Sequence, residues 1–474
     1  MKRSNLERRL RTVSRIALYL SLVLALGAGA ILLYLAKDPL NPQIEVTWLD
    51  TDYASLEEVK LLQDYVRIDT SRATGDVSKG AAFLAGLLEG EGIQVHLERV
   101  GDEDINLWAV LDGEDPGAIV LHSHMDVNDI LAPDTWEYPP FEAHIQLPWL
   151  YGRGTYDMKS VAIAQFLAIR DLVRSGARLR KSVVFLATSS EETGSELGTR
   201  WILRQHPELA NRFELVLTEG GVVEARRLEH LKYWGTEFLQ RRYWTLVACD
   251  DSRERLQQLQ NDLFFYGMTI DPELRLPDEV RKFLKIYAPS RGAQRLRDAL
   301  SDPDRLLRDR PLFDTLPGFI QAMFRNEVYP LRIRQVEGGG WELPVNVHLL
   351  PGVDFEEVRD EILPEWLFFG VDTIFQPEPS ADHGSPIDHP AMKAIAEVIG
   401  ESYPDVPVGP MILPWTATDS RFFRAKGIPS YGFTPFPIIL TDVVRVNGPN
   451  ERLALPVYVD GVEIYKRLLR RLVT

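Results

Sequence analysis

The chain has 474 residues, 45% of them apolar and 26% charged, with a net charge of −16. That length exceeds one ordinary core and predicts two domains, while the composition excludes a disordered chain. The acidic balance excludes a nucleic-acid partner, which needs a basic face, and the single cysteine, Cys249, excludes a disulfide framework and a cysteine-rich zinc site.

Residues 1–15 form a basic tail, with Lys2, Arg3, Arg8, Arg9, Arg11 and Arg15 against Glu7. Residues 16–36 carry no charge and, at about 1.5 Å per residue, can cross a bilayer core of roughly 30 Å. The pattern predicts a single-pass transmembrane anchor, with the N-terminus cytoplasmic and the catalytic region on the periplasmic or extracytoplasmic side. The alternative is a cleaved signal peptide, for which Ala25-Leu26-Gly27-Ala28-Gly29-Ala30 offers small residues.

A short Pro-bounded linker (39–42) follows. Helical spacing marks 56–70 and 81–92, and strand patterns mark 93–100, 106–111 and 118–122, the last apolar enough to be covered on both faces. A helix at 160–175, a strand at 182–187, a helix at 195–205 and a strand at 213–217 continue the alternation. This predicts an α/β domain with a mainly parallel sheet.

The character changes after about residue 226. A strand at 238–248 and a helix at 253–265 lead into a charged, helix-prone insertion that runs to about 325. Strands at 329–336 and 343–350, a helix at 355–362 and a strand at 372–376 complete two strand–helix repeats, the pattern of a ferredoxin-like α+β unit. From His389 the α/β character returns, ending in a helix at 457–472. The predicted organisation is a catalytic domain in two pieces, 41–226 and 377–474, around a lid domain at 227–376.

The candidate chemistry gathers between 118 and 221. Ser123-His124-Met125-Asp126 follows the most apolar strand, and Gly152-Arg153-Gly154 leads to Asp157 just before a helix. Glu191-Glu192 follows the buried strand at 182–187, and Glu219 follows the strand at 213–217. Open α/β sheets place their sites at such strand ends. One imidazole with several carboxylates and no thiolate points to a hard-to-borderline divalent metal, zinc above all. His124 and Asp126 lie two apart at a strand end and can face one side, with His124 as ligand and Asp126 as its orienting partner. Adjacent carboxylates at a buried strand end are costly unless a cation or shared proton compensates, so one of Glu191 and Glu192 can hold metal while the other takes a proton from water. Taken singly, each of these motifs is also compatible with a surface turn or a helix start.

Together, over residues 56–474, they resemble the two-metal exopeptidases and amidohydrolases of peptidase clan MH: aminoacylase, carboxypeptidase S, succinyl-diaminopimelate desuccinylase and glutamate carboxypeptidase. Val66-Arg67-Ile68-Asp69-Thr70, His122 to Val127 and Gly152 to Lys159 read nearly as that family reads. Thr418-Asp419-Ser420-Arg421 and Asn447-Gly448-Pro449-Asn450-Glu451 look most like its carboxypeptidase S and N-acyl-amino-acid hydrolase branch. The resemblance implies that His124 and Glu219 hold one zinc, Asp157 bridges two metals, Glu192 binds the second, Glu191 is the general base, Asp126 orients His124 and Arg421 meets substrate. It implies hydrolysis of an amide bond in a peptide or N-acyl amino acid, and a homodimer formed through the lid.

Two departures stand out. Asn447 occupies the place of a metal-binding His, and all nine histidines lie at or before His389. A neutral amide oxygen is a poorer zinc ligand than imidazole, which predicts a second site that is weaker, empty or filled by a harder metal. In the lid, Cys249-Asp250-Asp251-Ser252 replaces a His-Ser pair that stabilises the oxyanion, and an acid there is unfavourable. His348 also stands where the family usually has Arg. The alternative reading is therefore a catalytically impaired relative that binds a peptide or acyl-amino-acid ligand or acts as a membrane-anchored scaffold.

Overall fold

Short runs of β-branched and aliphatic residues build one large sheet in the computed structural model, which describes residues 51–131, 134–269, 273–336, 339–368, 370–377 and 381–474. Its strands are β1 Val95–Val100, β2 Asp104–Leu111, β3 Asp115–His124, β4 Lys181–Thr188, β5 Phe213–Thr218, β6 Val222–Arg227, β7 His230–Gln240, β8 Val408–Leu413, β9 Ser430–Gly432 and β10 Pro437–Ile439. Their order is β1-β2-β4-β3-β5-β9-β7-β6-β10, with β8 paired to β7. The centre, β4-β3-β5-β9, is parallel. β1 and β2 add antiparallel to β4, and β6 and β7 are antiparallel to each other. The sheet is thus mixed, where the sequence predicts a mainly parallel one. The α/β alternation is present, but the chain turns back as hairpins at both flanks, and a hairpin needs no crossover helix.

Alternate residues of β3 and β4 feed two cores. Ile119, Leu121 and Phe185 pack with the helices Glu57–Val66, Val77–Gly90, Lys159–Arg174 and Leu455–Val473, while Ala118, Val120, Val184 and Leu186 pack with Ile202, Leu203, Phe422 and Phe423. Two covered faces explain the near-continuous apolar runs of these strands.

The expected strand at 238–248 is two strands that meet at Arg241. β7 stays in the large sheet, and Arg242–Asp250 opens a smaller antiparallel sheet. That sheet runs Glu327–Pro330, Trp341–Leu349, Arg242–Asp250, Asp372–Pro377, with Arg334–Gln335 added beside Trp341–Leu349. Leu256, Leu259 and Leu263 of the helix Arg253–Thr269, and Phe355 of the helix Phe355–Ile362, cover one of its faces. The charged segment between them carries amphipathic helices whose Val280, Phe283, Leu284, Tyr287, Leu300 and Phe313 are buried in the core of the large sheet.

The predicted transmembrane anchor at 16–36 lies outside the described residues. Among the described residues no helix is long and apolar enough to cross a membrane. The expectation of a single-pass membrane protein with an extracytoplasmic catalytic domain is corrected accordingly and is not carried further.

Candidate metal centre

Three neighbouring parallel strands end side by side: β3 at His124, β4 at Thr188 and β5 at Thr218. The residues just beyond those ends therefore share one crevice at the carboxyl edge of the sheet. Ser190, at φ 59°, turns the chain sharply after β4, so that Glu191–Thr193 forms a single 3-10 turn facing β3. The Asp126 carboxylate accepts hydrogen bonds from the backbone N–H groups of Glu191 and Glu192, each at 3.1 Å. Asp126 is thus tied to the two glutamates, and it is its backbone carbonyl that accepts from His124 Nδ1, at 2.8 Å. The nearest Asp126 carboxylate oxygen is 3.7 Å from that nitrogen. With Nδ1 as the donor, Nε2 points to Asp157 Oδ1 at 3.0 Å and Glu219 Oε1 at 3.5 Å.

Asn447 arrives from far along the chain. A three-stranded sheet of His144–Gln146, Trp149–Tyr151 and Arg452–Ala454 clasps its segment against the loop that carries Asp157. Asn447 sits at φ 59°, a conformation that asparagine tolerates better than most side chains. Its Nδ2 donates to Asp157 Oδ2 at 2.8 Å. Arg421 is buried over the Phe422 ring, donates to the Thr418 carbonyl at 2.7 Å, and lies 3.8 Å from Glu191 Oε1.

All the residues proposed from the sequence thus meet in one place, and their electrostatics are lopsided. Ligand-type atoms of His124, Glu191 and Glu219 lie within 4.8 Å of one another, as do those of His124, Asp157 and Glu192. Burial pushes the Glu191 carboxyl up to about 8. Burial, with neighbouring carboxylates, also holds Glu192 and Glu219 well above the usual range. For Asp157, burial acts upward, but the hydrogen bond and charge of His124 outweigh it and bring the carboxyl down to about 2. Burial disfavours the His124 cation, yet Glu219 and Asp157 raise it well above its ordinary value. Glu192 Oε1 is buried with no hydrogen-bond partner. Four carboxylates around one imidazole, with an oxygen left over, form a donor set that a divalent cation fits.

Three supporting residues carry no sequence signal of their own. Asn128 Nδ2 donates to Glu192 Oε2 at 2.5 Å. Lys159 is buried and donates to the carbonyls of Ile68 at 2.6 Å and Tyr65 at 3.2 Å, and burial lowers its ammonium to about 7. The carboxylate of Glu451 accepts from the backbone N–H of Tyr156 at 2.9 Å and of Asp157 at 3.3 Å. Lys159 and Glu451 fall inside quoted motifs, but only the folded loops reveal what they touch. A cavity of about 410 Å³, lined by Arg72, Asp104, Asp126, Asn128 and Glu192 among others, opens beside the cluster.

Residues 120–471 match the sequence profile of Peptidase family M20/M25/M40. Aminoacylase-1A of Rattus norvegicus is 24% identical over 437 residues, which span 87% of this chain and 95% of that protein. A probable succinyl-diaminopimelate desuccinylase of Staphylococcus epidermidis is 34% identical over 137 residues, 29% of this chain and 33% of its own length. Among solved structures, the M20 family metallo-carboxypeptidase Sso-CP2 of Sulfolobus solfataricus shares the fold, with a TM-score of 0.64 at 16% identity, covering 88% of this chain and 99% of that one.

Proposed function

Because the chain belongs to peptidase family M20/M25/M40 and is an enzyme of the metallopeptidase and amidohydrolase class, we propose that it hydrolyses an amide bond in a peptide or N-acyl amino acid, with zinc held by the cluster at the ends of β3, β4 and β5. The observation that carries this reading is the convergence of His124, Asp157, Glu191, Glu192 and Glu219 within ligand distance of one another. His124 and Glu219 would hold one metal, Asp157 would lie between two, and Glu192 would face the second. When bound, the metal supplies polarisation of the scissile carbonyl and a lowered pKa for water.

The chain's own residues do the rest. Asp126 fixes the Glu191-Glu192 turn through both backbone N–H groups. Glu191 takes the proton of the attacking water and passes it to the leaving amine, as the C–N bond breaks and the carboxylate product forms. Without a cation burial holds its carboxyl too high for that task, and positive charge beside it restores a base near neutral pH. Arg421, a cation 3.8 Å from Glu191, would meet the free carboxylate of the substrate. Asn447 holds Asp157 with its amide N–H, which supports a second site weaker than the first.

The test is metal analysis of the purified full chain together with a panel of N-acyl amino acids and dipeptides. Zinc should co-purify, at least one panel member should be cleaved, and Glu191→Gln should lower kcat by about 10²- to 10⁴-fold while leaving bound metal in place. A metal-free chain with no hydrolysis, or a fully active Glu191→Gln variant, overturns the proposal.

A further inference from the structure

Arg153 is 1% exposed, and each arm of its guanidinium is engaged. Nη1 pairs with Glu451 Oε2 at 2.7 Å, Nε donates to the Asn128 carbonyl at 3.0 Å, and Nη2 donates to the Asn447 carbonyl at 3.2 Å. Nη1 also reaches the Gly448 carbonyl at 3.4 Å, and the guanidinium carbon lies 5.4 Å from the centre of the Trp136 ring. The two asparagines whose backbones it grips are the two whose side-chain amides hold the cluster: Asn128 on Glu192 and Asn447 on Asp157. Its ion-pair partner Glu451, fully buried, holds the backbone N–H groups of Tyr156 and Asp157. All three paths from this one side chain end on Glu192 or Asp157.

We infer that Arg153 and Glu451 are positioning residues that set the separation of Asp157 and Glu192, and with it the affinity of the second metal position. The inference rests on the metal reading of the site. A buried ion pair gains little over apolar packing as a source of stability, so its presence here asks for another role. A planar fork is the side chain able to serve four acceptors from two loops at once, Asn128 on one and residues 447–451 on the other; lysine keeps the charge but not the geometry. Outer partners of metal ligands commonly shift metal affinity by about 10- to 100-fold.

The test measures zinc binding, and the visible spectrum of bound cobalt(II), on the full chain stripped of metal. Arg153→Lys should weaken the second equivalent by about tenfold or more and change the cobalt spectrum, with thermal unfolding little altered. Asn128→Ala and Asn447→Ala should each weaken the same equivalent, and the effect of each should be non-additive with Arg153→Lys, since each lies on a path that starts at Arg153. Wild-type affinity and spectrum in Arg153→Lys, or strictly additive effects, overturn the inference while leaving the proposed function standing. Should Arg153→Lys fail to fold, the asparagine variants decide, and unchanged metal binding in both overturns it. A wild-type chain that binds no metal overturns both proposals.

Discussion

The cluster at the ends of β3, β4 and β5 and the cluster around Arg241 are both buried and both polar, and they differ in how their charge is balanced. Arg241, 1% exposed, donates to the carbonyls of Pro414, Ala322 and Arg325 and to His348 Nδ1, and pairs with Glu327 at 2.9 Å. Arg241 and, at 3.9 Å, Arg325 face that one carboxylate amid a ring of neutral acceptors, so no negative charge is left over, although His348 Nε2 has no hydrogen-bond partner. At the strand ends, four carboxylates crowd one imidazole, and Glu192 Oε1 has no partner. The first arrangement carries no surplus of negative charge and serves as a joint between the two sheets. The second is complete only with a cation, and that asymmetry separates a structural polar cluster from a functional one.

The sharpest way to break the comparison is to remove the cation from the balanced cluster. Arg241→Met strands the carbonyls and leaves Glu327 only the more distant Arg325, at 3.9 Å, so the folded state should lose about 3–5 kcal/mol in urea denaturation. Zinc affinity of the protein that remains folded should be unchanged. A loss below about 1 kcal/mol would show that the joint is held by its apolar packing instead.

The same cluster should report on pH. Burial, aided by Arg241, lowers the His348 imidazolium to about 2, so the ring stays neutral in the folded chain. The unfolded chain protonates near the ordinary value of about 6.5 and binds the extra proton below it. The contribution of His348 is therefore complete above about pH 6.5 and falls as pH drops toward 2, by up to about 1.4 kcal/mol per unit. His348→Gln, which keeps an acceptor for Arg241, should flatten the stability profile below pH 6.5 by that slope. An unchanged slope would mean that His348 does not remain neutral.

The contrast also explains what the sequence could and could not reveal. His124, Glu191, Glu192 and Glu219 were legible because strand ends announce themselves as apolar runs stopping at polar residues, and Asp157 because a Gly-rich loop before a helix carries it. Asn128 and Glu451 were not, because their partners Glu192 and Asp157 lie 64 and 294 residues away and no spacing encodes such a meeting. Arg241 was hidden in a run that reads as one strand; its break depends on carbonyls from two distant segments, Pro414 in one and Ala322 and Arg325 in the other. The helices at 278–324 read as a charged insertion because their apolar stripe is narrow, yet Phe283 and Tyr287 are fully buried. The mixed order of the sheet was equally hidden, since residues 222–237, which form β6 and most of β7, are too rich in charged residues to stand out as strands, and strand patterns do not specify direction.

The functional cluster can be sharpened by adding what the balanced one already has, a neutral imidazole among its acceptors. Asn447→His would place an imidazole beside Asp157, 2.8 Å from the present amide. Zinc binding at the second position should tighten by about tenfold, roughly 1.4 kcal/mol, read by equilibrium dialysis. Unchanged zinc binding would remove residue 447 from the metal site.

The smallest effect is expected at Asp250, and it tests whether the smaller antiparallel sheet matters to catalysis. By resemblance an acid there opposes a developing oxyanion. In the structure Asp250 is occupied elsewhere: Oδ1 accepts from the Ser252 N–H at 2.7 Å and Oδ2 from Arg255 Nη1 at 2.9 Å, at the start of the helix Arg253–Thr269. The helix itself is capped by Ser252, whose Oγ accepts from the Arg255 N–H at 3.2 Å, and loss of the two Asp250 hydrogen bonds should cost about 0.5–1.5 kcal/mol of stability. Asp250→Ala should therefore lower the unfolding midpoint slightly and leave kcat/KM unchanged. A rise in kcat would instead mean that the carboxylate reaches the reacting atoms, and that this sheet, like the strand ends, carries charge that the chain alone does not balance.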